Sequence, residues 1–213
     1  KEHSSLGKDF VNGLRLGLAG SDFNLEVEGI GFGSNSETVI NAIQKLTNQY
    51  ELSCLTGILG HTGLSQILDH VEGAGEPMIY ADFGATRPLD LSERKHIFCN
   101  SLDLYGATEL LGSYFLDNNL LKVATSTCYY ESGYGFIDAM KRTLYRENSG
   151  SFAGHFITPL NPRENEAQLL KEFVDATSPD VLFAFHNGTF AKEHAEFLAT
   201  SKVHKNTPLY TLP

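Results

Sequence analysis

Apolar positions along this chain recur at two spacings, and the two spacings alternate nearly from end to end. Phe10, Val11, Leu14 and Leu18 stand three or four residues apart, which predicts one face of a helix. Leu25, Val27 and then Ile30 to Phe32 read as a strand. Ser36 is a candidate N-cap for a helix carrying Val39, Ile40, Ile43 and Leu46 on one face. Cys54 to Leu59 predicts a short strand, and Leu64, Ile67, Leu68 and Val71 the next helix. Met78 to Ala81 and His96 to Cys99 read as strands, and Ala107, Leu110, Leu111, Tyr114 and Phe115 as a helix. After Asn118-Asn119 the rhythm restarts. Strands are expected at Lys122 to Ser126, Gly154 to Ile157 and Val181 to Phe185, with a further start at Leu209-Tyr210. Between them, helices are expected around Phe136 to Leu144, Leu169 to Val174 and Phe190 to Leu198.

Strands separated by helices of this length imply right-handed crossovers and open, mostly parallel sheets. The expected fold is therefore α/β, with two open parallel-sheet lobes spanning 1–118 and 119–213 and a short connection near Asn118 to Leu121. The chain opens on a helix with no strand before it and closes on a strand with no helix after it. The expectation is that segments outside these 213 residues complete the sheets.

Composition adds bounds rather than detail. The chain is 41% hydrophobic and 20% charged, ordinary for a globular protein able to bury a core. A formal charge of -10 argues against a nucleic-acid backbone or an anionic membrane surface as partner, since both call for Lys/Arg patches. No apolar run approaches the ~20 residues of a membrane span, and Lys1 to Lys8 is too polar for a secretory leader. Cys54, Cys99 and Cys128 form no CxxC pair; Cys54 and Cys99, in or beside strands, read as small buried hydrophobes.

Chemistry is sought in the loops that leave the carboxyl ends of strands, where open α/β sheets bind ligands. The first is Ile58 to Ser65, with Gly60 and Gly63 exposing backbone and Thr62 and Ser65 offering hydroxyls; no Gly-Lys-Ser/Thr follows, so it is not a phosphate loop. The second is Asp82 to Pro88, where Gly84 and Ala85 keep the surface open beside Thr86. The third is Thr127 to Gly135, with Tyr129, Tyr130 and Tyr134 among glycines, suited to covering a ligand. A fourth, Phe185 to Phe190, carries His186. Each could equally be an ordinary strand-to-helix turn. Catalysis finds little footing: there is no GxSxG elbow, no HxxxH pair on a helix, and only Asp82 and His61 on adjacent strand ends as a lone acid–base pair. No metal or cofactor is expected.

Five stretches then resemble one family in the right order. Leu6 to Arg15 resembles the first helix of the type I periplasmic binding proteins, the leucine/isoleucine/valine-binding group of ABC-transporter receptors. Gly57 to His61 resembles their strand ending in a Gly-rich ligand loop, and Gly84 to Pro88 their Ala-Thr-x-Pro segment. Tyr130 to Gly135 is similar to the loop opening the second lobe, and Ser178-Pro179-Asp180-Val181 to the approach to the next strand. The resemblance implies a periplasmic receptor, not an enzyme, that traps an amino acid or similar small polar ligand and delivers it to an ABC permease. It implies ligand contacts at Gly63, Ser65, Gly84, Ala85 and Thr86, with Tyr130 closing over the ligand; His186 stays a further candidate from its place at a strand end alone. The first loop, Thr62-Gly63-Leu64-Ser65, is one residue shorter than the family's serine-rich version. Two rivals stand beside this reading: a sensory domain of the same fold attached to a regulatory module, and a Rossmann-like enzyme using Asp82 or His61.

Overall fold

The computed structural model describes residues 3–31, 34–58, 61–82, 84–87, 89–129, 135–146 and 149–212. It divides into two compact units, the first made of 1–83 with 88–102 and the second of 84–87 with 103–213.

The first unit holds α1 (His3–Gly17), α2 (Ser36–Gln49), β1 (Leu55–Ile58), α3 (His61–Ser65), α4 (Leu68–Ala74), β2 (Met78–Asp82) and β3 (Ile97–Ser101). Its three strands pair in parallel in the order β1-β2-β3. Parallel register puts Leu55, Met78 and Ile97 side by side, and all three are buried against Val39 and Ile43 of α2 and Leu64, Ile67 and Val71 beyond β1. The opposite face carries Ile79 and Phe98, both exposed. A strand shows alternate residues to alternate faces, so this sheet is covered on one side among the described residues.

Four expectations are corrected in this unit. Residues 25–31 form no strand; the segment holds Gly29 and Gly31, which weaken strand formation, and no ladder partner for it exists among the described residues. The N-cap of α2 is Asn35, one residue earlier than Ser36, and its Oδ1 accepts from the Thr38 amide at 2.9 Å. The helix expected around Leu64 to Val71 is two short helices that turn at Ile67, whose amide donates to the Leu64 carbonyl at 2.9 Å. The apolar stripe survives the break because Leu64, Ile67 and Val71 all still face the core. Cys54 and Cys99 are exposed rather than buried: Cys54 lies ahead of β1, and Cys99, although on the same face as Ile97, lies on β3, an edge strand among the described residues.

The second unit holds α5 (Leu104–Asp117), β4 (Lys122–Cys128), α6 (Phe136–Arg146), β5 (Ser151–Thr158), α7 (Glu166–Thr177), β6 (Val181–Phe185), α8 (Gly188–Ser201) and β7 (Leu209–Tyr210). The sheet is parallel throughout, in the order β5-β4-β6-β7. Here both faces are covered. Val123, Phe183 and Phe185 pack on Phe115 of α5 and Phe136, Met140 and Leu144 of α6. Ala124, Phe156 and Leu182 pack on Leu170 and Val174 of α7 and on Val203. A strand buried on both faces reads as a continuous apolar run, and all five residues of β6 are buried.

At the amino end of this sheet, the Asp180 carboxylate accepts from the Leu121 and Lys122 amides at 2.9 and 2.8 Å, while the Asp180 amide donates to the Lys122 carbonyl at 2.8 Å. These three bonds tie the entry of β6 to the entry of β4. No helix among the described residues is long and apolar enough to cross a membrane.

Candidate functional site

The loops singled out from sequence sit at carboxyl ends of parallel strands. Register aligns Ile58 with Ala81, so the strand ends preceding the first two loops are neighbours in one sheet. Gly63 and Ser65 lie in α3, Ser65 with its side chain exposed. Leu59, Gly60, Phe83, Pro88 and Tyr130 to Tyr134 lie outside the described residues, so Tyr130 has no placement here.

In the second unit, two loops join directly. Gly84 has φ +67°, a conformation that L side chains rarely adopt, and its carbonyl accepts from the Tyr105 amide at 2.7 Å. One residue on, the Ala85 carbonyl accepts from the Gly135 amide, also at 2.7 Å. Segment 84–87 is thus bonded to the start of α5 and to the residue that ends the Thr127 to Gly135 loop. Gly135 is needed for the approach: a Cβ there would lie 2.8 Å from Tyr105 Cδ2 and 3.2 Å from Thr86 Cα. Tyr105 is held in turn by its hydroxyl, which donates to Asp138 Oδ2 at 2.7 Å. Burial, and then the Asp138 carboxylate, push its phenol up to about 12.

Ala85 joins the apolar cluster of Phe136 and Phe185, whose rings stand 4.5 Å apart. Beside this apolar floor, the Thr86 hydroxyl oxygen is buried and meets no hydrogen-bond partner among the described residues. A buried hydroxyl without a partner costs about 1–3 kcal/mol, so a polar group supplied from outside would be bound with that gain.

His186 follows Phe185 at the same end of the sheet, but its ring turns inward. It stacks on His194 of α8 with ring centroids 3.4 Å apart and planes within 9°. Burial first, and then its neighbour, push His186 down to about 2; burial pushes His194 down to about 4. His155 on β5 accepts from or donates to the Thr127 hydroxyl at 2.8 Å, and burial with Lys141 nearby pushes it down to about 4. All three rings are neutral at pH 7.

The structure therefore brings Gly84, Ala85 and Thr86 together with the end of the third loop, and puts His186 at the adjacent strand end. Gly63 and Ser65 belong to the other unit. Sequence reasoning did not single out Tyr105, Phe136 and His194. His194 carried a signal, a polar residue on the apolar face Phe190, Phe197, Leu198. Two depressions of about 320 Å³ each among the described residues involve none of the candidate residues; one is lined by Glu72, Asp90, Glu93 and Arg94, the other by residues including Lys171, Lys202 and Lys205. Among the described residues no group of three or more His, Cys, Asp or Glu is placed to hold a metal ion.

No protein-family model matches the chain, and no curated protein matches it in sequence. Solved structures do. An ABC transporter substrate-binding protein from Sphaerobacter thermophilus superposes with a TM-score of 0.71 at 19% identity, over 96% of this chain and 57% of that one. The fold is that of the type I periplasmic binding proteins. A solute-binding protein of an ABC transporter from Rhodopseudomonas palustris, solved with benzoate, gives 0.65 at 19% identity, over 98% of this chain and 58% of that one. A branched-chain amino acid ABC transporter protein from Silicibacter pomeroyi gives 0.60 at 17%, over 97% and 54%. The chain thus spans a little over half the length of these type I proteins. At such identities the likeness fixes the architecture, and function must be argued from the site.

Proposed function

We propose that this chain is the ligand-binding part of a periplasmic solute receptor that feeds an ABC permease, and that it binds without catalysing. The ligand is an amino acid or a similar small polar molecule. Similar structures include one solved with benzoate and one attached to branched-chain amino acid transport, and both ligand types carry a carboxylate. The contacts proposed are Gly63 and Ser65 on α3, Gly84, Ala85 and Thr86 after β2, and Tyr130 in the loop after β4. His186 belongs to the lining of the same strand end, with its ring engaged by His194.

One observation carries the reading. The Ala85–Gly135 bond joins the second loop to the end of the third beside an apolar floor, with the Thr86 hydroxyl buried and without a partner among the described residues. Apolar walls with a few placed polar groups are the usual makeup of a small-molecule site. Calorimetric titration of the protein as its gene encodes it tests this, with the twenty amino acids, benzoate and 3,4-dihydroxybenzoate as probes. Saturable heat from at least one probe, weakened about tenfold in Thr86→Val, is expected. Silence across the panel refutes the receptor reading.

A further inference from the structure

α8 is a helix anchored at its middle by a histidine. Among its described side chains only His194 and Ser201 are buried, while Phe190, Phe197 and Leu198 are partly covered. The His194 ring, 4% exposed, lies flat on His186, which leaves the carboxyl end of β6. None of the four ring nitrogens meets a hydrogen-bond partner among the described residues.

We infer that the His186–His194 stack is an acid-sensitive latch that holds α8 against the second sheet and releases it when the rings take up protons. The reasoning starts from what surrounds the pair. β4 offers only the Thr127 backbone, which favours a proton on His186 without reaching bonding geometry. β5 contributes His155, another base that would repel a charged neighbour. α7 contributes Glu166, fully buried and favourable to a charged His194, but already held by Arg163 through bonds of 2.8 and 2.9 Å. α8 itself contributes the adjacent Glu193, one of whose carboxylate oxygens is buried without a partner. The amino end of α8, two residues beyond His186, disfavours positive charge there. A proton on either ring therefore places a cation in a buried stack, where the carboxylate that favours it, Glu166, is already engaged by Arg163, and separation of α8 relieves this by exposing the rings to water.

The sign follows from linkage. The rings are harder to protonate in the closed helix than in water, so closure is most favoured above about pH 6.5 and weakens as pH falls. With an open-state value of ~6.5, moving from pH 7 to pH 5 favours opening by about 25-fold per histidine, and about 600-fold for the pair. The latch does not depend on the receptor reading.

Hydrogen exchange measured by mass spectrometry between pH 7 and pH 5, corrected for intrinsic chemistry, tests the inference. Peptides from α8 should open several-hundred-fold more readily at pH 5, with α5 and α6 unchanged. His194→Phe, which keeps a stacked ring, should reduce the dependence to about 25-fold, and the His186→Phe/His194→Phe pair should abolish it. Exchange in α8 that follows α5 and α6, or that keeps its dependence in the double variant, overturns the latch. Should the variants fail to fold, imidazole titration of the unaltered protein by NMR decides. Both rings must stay neutral to below pH 5 while α8 is closed, and titration of either near pH 6.5 overturns it.

Discussion

Gly135→Ala is the sharpest available test of how the two loops are joined. The backbone of Gly135 lies outside the left-handed region, so alanine meets no conformational penalty and only the added methyl matters. That methyl would sit 2.8 and 3.0 Å from Tyr105 Cδ2 and Cε2 and 3.2 Å from Thr86 Cα. The first distance is shorter than carbon atoms tolerate, and neither neighbour can yield easily. Tyr105 is 3% exposed and its hydroxyl is tied to Asp138, while Thr86 offers backbone. Overpacking of this kind costs about 1–3 kcal/mol, and stretching the 2.7 Å Gly135–Ala85 bond falls within that sum. At ~2 kcal/mol the melting temperature drops by about 4–8 °C for a chain of this size. Urea unfolding with the slope unchanged is the assay. Tyr105→Leu, which removes the clashing ring carbons, should recover about 1 kcal/mol of the alanine cost in a double-mutant cycle. A Gly135→Ala variant within ~0.5 kcal/mol of the parent, or one with no coupling to Tyr105, refutes the argument that close packing here positions segment 84–87.

Thr86→Val should raise the stability read from the urea midpoint, by up to about 1–3 kcal/mol, because it removes a buried hydroxyl that meets no partner among the described residues; a loss above ~1.5 kcal/mol shows an internal role instead. Arg163→Ala should cost about 2–4 kcal/mol in the same assay, since it strips the fully buried Glu166 of its one ion-pair partner among the described residues, while Glu166→Gln should cost less by removing the charge as well. His155 is neutral in the fold, so its contribution is complete above about pH 6.5 and drains as pH falls toward about 4. His155→Leu should flatten the stability–pH curve between pH 6 and pH 4.5 by up to ~1.4 kcal/mol per pH unit, and an unchanged slope counts against the burial assigned to it.

Local periodicity was enough to locate β1, β2, β4, β6 and the helices α2, α5, α6, α7 and α8, because each buries one stripe or one run that its own residues advertise. What failed was whatever depends on a partner elsewhere. Leu25 and Val27 have strand chemistry, yet a strand exists only where a neighbour completes its hydrogen bonds. Cys99 sits in a strand as expected, but its exposure is decided by what covers β3. The apolar face of α5 was legible; that its Gly112 would nest against Thr143 and Met140 of α6 was not. The same division holds at the site. Gly84 to Thr86 and the loop ending at Gly135 were legible as open, glycine-containing turns. Their union rests on two backbone bonds spanning 21 and 50 residues of sequence, which no local pattern encodes.

The three bonds made by Asp180 have a consequence for change over evolutionary time. They set the zero of the scale between β4 and β6 at the end opposite the loops, and the ladder then carries that alignment forward until Thr127 stands beside Phe185. Residues added or lost beyond Cys128 or Phe185 leave the alignment untouched, whereas one residue added within either strand would turn every later side chain to the other face. The scaffold is thus gauged from one end and free to vary at the other, so new ligand preferences can arise by lengthening or shortening the loops without disturbing how the sheet assembles.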